Sequence, residues 1–160
     1  MKKFNFILIC LSLFISAFSV AKQAEPKWLD QVDLTQYENK VIYLDFWASW
    51  CGPCRKSFPW LNQMQEKYQD QGLVIIGINL DKDIRSANNF LKHTPAKFLV
   101  YSDPTGILGK KYKLVGMPSS YIVTSDGQIK TKHIGFKKSE TAEYEANIIE
   151  LLAQLPQNKE

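Results

Sequence analysis

Apolar residues fall along this chain in two alternating rhythms: short, nearly continuous runs, and longer stretches where they recur every three or four positions. Val41-Ile42-Tyr43-Leu44-Asp45-Phe46-Trp47 is the clearest run, rich in β-branched and aromatic residues as a strand buried on both faces would be. From Cys54 to about Asp70 the apolar positions Phe58, Leu61, Met64 or Gln65, and Tyr68 keep helical spacing. Pro59 lies inside that pattern and is expected to kink the helix rather than end it, because the periodicity resumes beyond it. Gly72 is expected to cap the helix C-terminus. Leu73-Val74-Ile75-Ile76-Gly77-Ile78 predicts a second buried strand, and Ile84, Ala87, Phe90 and Leu91 predict one face of a second helix. Residues 97–101 predict a third strand, followed by a turn at Asp103-Pro104-Thr105-Gly106 and a short helix to about Tyr112. After Gly116-Met117-Pro118, residues 119–123 and 129–134 flank Ser125-Asp126-Gly127-Gln128, a strong hairpin signal. A last helix runs over about residues 140–155, with a face made by Ala142, Ile148, Ile149, Leu152 and Leu155, and Pro156 stops it. Strands alternating with helices and ending in a hairpin predict an α/β fold. Its mixed sheet is parallel at the centre and covered by helices on both faces.

Length and charge narrow the picture. A chain of 160 residues supports one domain with a real core and is too short for two ordinary ones. Lys2 and Lys3, the apolar stretch over residues 6–18 and the small residues of Ser19-Val20-Ala21 predict a signal peptide over residues 1–21. The competing reading, an uncleaved membrane anchor, rests on residues 4–20, a length at the low edge of what spans a bilayer. Cys10 lies within that segment and reads as one of its small apolar residues. Residues 22–27, polar and proline-bearing, are expected to be a disordered lead. Trp28, Leu29, Val32 and Leu34 begin a domain over residues 28–156, and residues 157–160 form a tail. Removal of Lys2 and Lys3 with the signal lowers the formal charge from +4 to +2, leaving 18 basic against 16 acidic residues, which argues against a nucleic-acid partner. It also leaves Cys51 and Cys54 as the two cysteines of a chain expected in the periplasm or an otherwise exported location.

The pair Cys51-Gly52-Pro53-Cys54 sits where the first strand gives way to the first helix. Two cysteines three apart at the first turn of a helix put one sulfur at the exposed N-terminus and the other on the same side, close enough to join in a small ring. Free backbone N–H groups and the positive end of the helix dipole favour the Cys51 thiolate. Cys51 would attack a partner disulfide, and Cys54, more buried, would displace the partner and leave the pair oxidised. Gly52 lets a partner chain approach and Pro53 suits the first helical turn. Asp45, a carboxylate between Leu44 and Phe46, is costly to bury without a partner or a task.

Residues 45–56, Asp45-Phe46-Trp47-Ala48-Ser49-Trp50-Cys51-Gly52-Pro53-Cys54-Arg55-Lys56, resemble the active-site segment of the thioredoxin superfamily. Gly116-Met117-Pro118 resembles the loop that carries its cis-proline. Leu34-Thr35-Gln36-Tyr37, the extra strand-helix segment before Met117, and Gly135-Phe136 resemble more narrowly the exported branch that includes TlpA, ResA and the cytochrome c maturation reductases. The resemblance implies a thioredoxin-like fold over about residues 28–155 and a protein thiol-disulfide oxidoreductase. Its redox centre would be the Cys51–Cys54 pair, with no cofactor or metal. It further implies that Trp50 flanks the outer sulfur, that Met117 and a cis Pro118 face it and hold an extended substrate segment, and that Asp45 lies beneath Cys54 and acts on its proton. The family's usual lysine beside that aspartate is replaced by Gly77, and Asp81 or Asp83 is the candidate match to an acidic residue of the exported branch.

The dipeptide between the cysteines, through the same resemblance, favours a reductase of protein disulfides supplied by a membrane thiol donor and acting as a monomer. Two alternatives stand beside it, an oxidase or isomerase of the DsbA kind and a non-enzymatic binding module that keeps the fold. His93 and His133 are too far from the cysteines in sequence for a recognised zinc spacing. A purely structural role for so short a disulfide loop is poor, since it constrains the unfolded chain little.

Overall fold

The computed structural model describes residues 33–156. The expected signal at 1–21, the lead at 22–27, the packing of Trp28, Leu29 and Val32, and the tail at 157–160 lie outside the described residues. Nine regular elements follow in order: β1 (Val41–Trp47), α1 (Gly52–Tyr68), β2 (Leu73–Asn79), α2 (Ile84–His93), β3 (Leu99–Ser102), α3 (Ile107–Lys111), β4 (Ser119–Val123), β5 (Ile129–Ile134) and α4 (Thr141–Leu152). They form one five-stranded sheet of order β3-β2-β1-β4-β5. β1 pairs parallel with β2 and antiparallel with β4, so the predicted mixed sheet has its parallel half in β3-β2-β1 and its antiparallel half in β1-β4-β5.

All seven residues of β1 are buried, as its unbroken apolarity predicts for a strand covered on both faces. Its alternate residues divide the core. Val41 and Tyr43 pack with Leu61, Met64 and Tyr68 of α1 and Ile148 and Leu152 of α4. Ile42, Leu44 and Phe46 point the other way, to Leu108 of α3 and to Leu34 and Tyr37 of a 3-10 turn at Leu34–Tyr37. At the top of the sheet Trp47, Phe58 and Phe90 join α1 and α2 to β1, with ring centroids 4.8–5.2 Å apart. Helices therefore cover both faces, thickly on the α1 side and thinly on the α3 side. Among the described residues no helix is long and apolar enough to cross a membrane.

Several boundaries differ from the sequence reading. α1 runs through Pro59 to Tyr68, but Gly72 does not cap it; a separate 3-10 turn, Gln69–Gln71, intervenes, and Gly72 closes that turn at φ +105°. Met64, not Gln65, continues the buried stripe. Gln65 instead ties the helix to β2, its Oε1 accepting from Ile75 N at 2.8 Å. In α2 only Ala87 and Phe90 are buried, while Ile84 at the helix start is exposed. β3 begins at Leu99, two residues later than predicted. In α4 the buried stripe is Tyr144, Ile148 and Leu152, a strict four-residue row anchored by Tyr144 against Trp60 and His133. Ala142 and Ile149 fall outside it and are exposed.

Candidate functional site

Cys51 is the N-cap of α1 in extended conformation, and its Sγ accepts from the Cys54 backbone N at 3.3 Å. Cys54 stands one turn inside, with Cα atoms 5.2 Å apart, and the two sulfurs are joined in a disulfide. Cys51 keeps 5% of its surface exposed and Cys54 none. The outer sulfur is thus the more accessible, but it looks out through a narrow opening rather than standing free. The first turn of α1 has no acidic residue, and Arg55 and Lys56 follow at once, so nothing there opposes the positive end of the helix dipole.

The approach to Cys51 is held in place from below. Ala48 to Trp50 leave β1 in a turn that Asp81 fixes: its Oδ2 accepts from Ser49 N at 2.9 Å and from Asn79 Nδ2 at 2.7 Å, and its Oδ1 from Ser49 Oγ at 2.9 Å. Asp81 is buried and its bonding is filled. Asp83 is a surface residue that caps α2 and pairs with Arg85 at 2.7 Å. Neither carboxylate is aimed at the cysteines by these contacts; one is a brace and the other a helix cap.

A shallow, mainly apolar concavity opens over Cys51, lined by Trp50, Gly52, Pro53, Leu80, Leu114, Gly116 and Met117. Four residues singled out in the sequence, Trp50, Gly52, Pro53 and Met117, therefore meet around the outer sulfur. Pro118 is buried behind them at the head of β4, and the Met117–Pro118 bond is cis. Trp50 is 69% exposed. A Cβ built on Gly52 would meet nothing within 4 Å, so this glycine keeps the approach open rather than relieving a contact. Gly116 comes with the Gly116-Met117-Pro118 loop, whereas Leu80 and Leu114 were not readable as site residues, because each belongs to a loop whose position depends on strand order.

Asp45 lies on the α1 side of β1. Its strand neighbours on that side, Tyr43 and Trp47, contact Trp60 and Phe58 of α1, which brackets the carboxyl beneath the helix. Asp45 is 1% exposed. Ser120 Oγ donates to its Oδ1 at 2.8 Å, and Oδ2 is buried without a hydrogen-bond partner among the described residues. Burial raises its pKa to about 7, with the Ser120 hydrogen bond opposing. Gly77 is paired with Asp45 in the sheet, and an added Cβ there would lie 2.9 Å from Phe98 Cε2 and 3.1 Å from Trp47 Nε1. The missing lysine is therefore replaced by two aromatic rings.

The raised pKa makes a prediction for the oxidised protein. Between the unfolded value near 3.8 and the folded value near 7 the folded chain holds a proton that the unfolded chain has released. Stability is greatest below this window, falls as pH rises through it and levels off above it, by at most about 4 kcal/mol. Asp45→Asn should flatten that slope and leave the variant more stable than its parent in mildly alkaline solution. Denaturant midpoints measured across pH check this; parallel pH profiles for the two proteins would contradict it.

A family profile described as Redoxin matches residues 18–148. The chain belongs to the Redoxin family. As a Redoxin protein it is similar to the thiol-disulfide oxidoreductase ResA of Bacillus cereus, 33% identical over 114 residues, which are 71% of this chain and 65% of that protein. ResA of Bacillus subtilis is 25% identical over 99 residues, 62% of this chain and 55% of the relative. The match thus spans between about half and two thirds of these relatives' length. Among solved structures, a candidate thiol:disulfide interchange protein DsbE from Chlorobium tepidum is 43% identical with a TM-score of 0.72, covering 74% of this chain and 84% of that one. StoA from Bacillus subtilis, 24% identical with a TM-score of 0.59 over 67% of this chain and 82% of that one, shares the fold. The Redoxin chain has the thioredoxin-like architecture expected from its motif, with its cysteine pair at the end of the central strand.

Proposed function

We propose that this Redoxin-family chain is an exported thiol-disulfide oxidoreductase that reduces disulfides of partner proteins through Cys51 and Cys54. The observation that carries the reading is the asymmetry of the pair: Cys51 caps the N-terminus of α1 and opens on an apolar concavity, while Cys54 is sealed one turn in and bonded to it. In the reduced state the unpaired N–H groups of α1 and its dipole favour the Cys51 thiolate. That thiolate attacks one sulfur of a partner disulfide, forms the Cys51–partner bond and releases the other partner sulfur as a thiolate, which takes a proton. Cys54 then gives its proton to Asp45, attacks Cys51 Sγ, and expels the second partner sulfur as a thiolate, which takes a proton from water. The partner leaves with two thiols, and the chain holds the disulfide seen here.

Trp50, Gly52, Pro53, Met117 and Pro118 would hold the partner segment by shape and apolar contact, since none of them carries charge. Export rests on the sequence of residues 1–21, and regeneration would fall to a membrane thiol carrier. The relatives named thiol-disulfide oxidoreductase or thiol:disulfide interchange protein support the reaction class. The reduction potential of the Cys51/Cys54 couple tests the direction. A value near that of thioredoxin, about −270 mV, is expected; one near about −120 mV, as in DsbA, would make the chain an oxidant.

A further inference from the structure

Trp50 is a ridge between two depressions. On one side lies the apolar concavity over Cys51; on the other a second groove runs between α1 and α2, and Trp50 lines both. Arg55, Ser86, Asn89, Phe90 and His93 form most of the second groove's walls. At about 330 Å³ it stands at the low end of ligand-sized clefts, so it suits a side chain rather than a cofactor. Its lining holds a cation and no carboxylate, which sets it apart from the uncharged concavity beside it.

Arg55 supplies that charge. It stands four residues after Cys51, its backbone N donating to Cys51 O at 3.1 Å, which puts the two Cβ atoms about 5–6 Å apart on one side of α1. Its guanidinium carbon is 5.7 Å from the centroid of the Phe90 ring on α2, so the side chain is laid across the groove. A ring contact leaves the positive charge in place. Among the described residues Arg55 has no carboxylate within ion-pair distance, whereas Lys67, Arg85, Lys97 and Lys137 each have one. Two nearby carboxylates are already engaged: Asp83 pairs with Arg85, and Asp81 is buried with its oxygens accepting from Ser49 and Asn79. Ser86 and Asn89 add a hydroxyl and an amide donor to the groove wall.

We propose that this groove is a subsite for an acidic side chain: a partner segment that presents its cysteine to Cys51 sets an aspartate or glutamate two positions away against Arg55. The inference rests on the oxidoreductase reading and names the class of partner for that same site. The spacing comes from the geometry of an extended chain. Each residue advances it by about 3.3 Å and alternate side chains share a face, so the second residue from the reacting cysteine stands about 6.6 Å along, level with Arg55. A guanidinium matches a carboxylate in shape as well as in charge. A basic residue at that place would be repelled, since Lys56 on α1 and Lys92 on α2 are further exposed cations on the two helices.

The test uses symmetric peptide disulfides, each a short peptide joined to its copy through one cysteine, with Glu, Gln or Lys two residues to either side. The reduced protein gives up two electrons and closes its Cys51–Cys54 disulfide, while the dimer becomes two peptide thiols, counted by chromatography after acid quench. Rates divided by those of dithiothreitol on the same dimers remove the effect of each charge on the peptide's own disulfide. The Glu dimer should react about three- to fivefold faster than the Gln dimer at low salt, as an exposed ion pair implies, with the Lys dimer slowest. The order should flatten at about 1 M salt. Arg55→Gln and Asn89→Asp should each bring the Glu-to-Gln ratio to one or below, whereas Lys130→Gln on β5 removes a like charge elsewhere and should preserve it. Because the ratio is taken within one protein, a change in Cys51 reactivity cancels. The subsite is overturned if the parent shows no preference for Glu, if the preference survives in either groove variant, or if Lys130→Gln abolishes it equally. If the parent reduces none of the dimers, the oxidoreductase reading fails, and NMR then decides the groove. The Glu peptide with serine in place of cysteine should shift the amide signals of Ser86, Asn89 and His93 more than its Gln counterpart does; equal shifts overturn the subsite.

Discussion

Cys51→Ala is expected to reduce disulfide turnover to the uncatalysed background, whereas Cys54→Ala should still attack its partners and then stall. The difference follows from where the sulfurs lie. Cys51 has the one opening to solvent in the pair, and its side chain caps α1; Cys54 has no exposed surface and can reach only Cys51. Without Cys51 no sulfur can meet a partner. Without Cys54 the Cys51–partner disulfide forms but nothing within reach displaces it, so covalent complexes should accumulate and run as heavier bands on a non-reducing gel. The disulfide closes only a short loop, so either variant should unfold close to the denaturant midpoint of the reduced parent. Turnover that survives in Cys51→Ala would remove the dithiol mechanism and favour a binding module. Full turnover in Cys54→Ala would remove the resolving role.

The largest expected loss of stability comes from Gly77→Lys. This position pairs with Asp45, and an ion pair there would look favourable on paper. The space is already filled, however, by the edges of Phe98 and Trp47 at 2.9 and 3.1 Å from where a Cβ would sit. Forcing extra atoms into such a core costs about 1–3 kcal/mol. An ammonium in the same place adds a desolvation penalty of several kcal/mol, which attraction to Asp45 offsets only with good geometry. Since a domain of this size is stable by roughly 5–15 kcal/mol, the variant should be substantially unfolded at moderate denaturant. Gly77→Ala should show the steric part alone, about 1–3 kcal/mol. Equilibrium unfolding of both variants separates the two contributions. A Gly77→Lys protein as stable as its parent would mean that the rings move aside and the ion pair prevails.

The legible parts of this fold were those governed by local pattern. β1 could be read because every residue in it is apolar or costly to bury, and α1 because four buried positions keep helical spacing through Pro59. The stripe of α4 was misread at Ala142 and Ile149 because hydrophobicity alone ranks them with Ile148. What selects the row is Tyr144, packed against Trp60, Phe136 and His133 from distant parts of the chain. The same limit applies to the site. The cysteine pair announces itself within four residues. The bracing of Ser49 by Asp81, the contact of Ser120 with Asp45 and the lining supplied by Leu80 and Leu114 depend on strand register and loop return, which no local window contains. Asp81 and Asp83 look equivalent in sequence, and only their donors distinguish a buried brace from a surface cap.

The strand order β3-β2-β1-β4-β5 has a further consequence for a protein that would handle partly folded clients. An extended client segment is itself a strand in waiting, and a sheet with an open margin invites it to zip on and stay. Here the cysteines stand at the start of the helix that follows the innermost strand, and the two margins are poor templates. β3 is only four residues long, and β5 presents Lys130 and Lys132 and is thrown out of even pairing near Val123. On the proposed function, an extended partner segment touched at the sulfur would find no long open strand to join, and could be released without being recruited into the sheet.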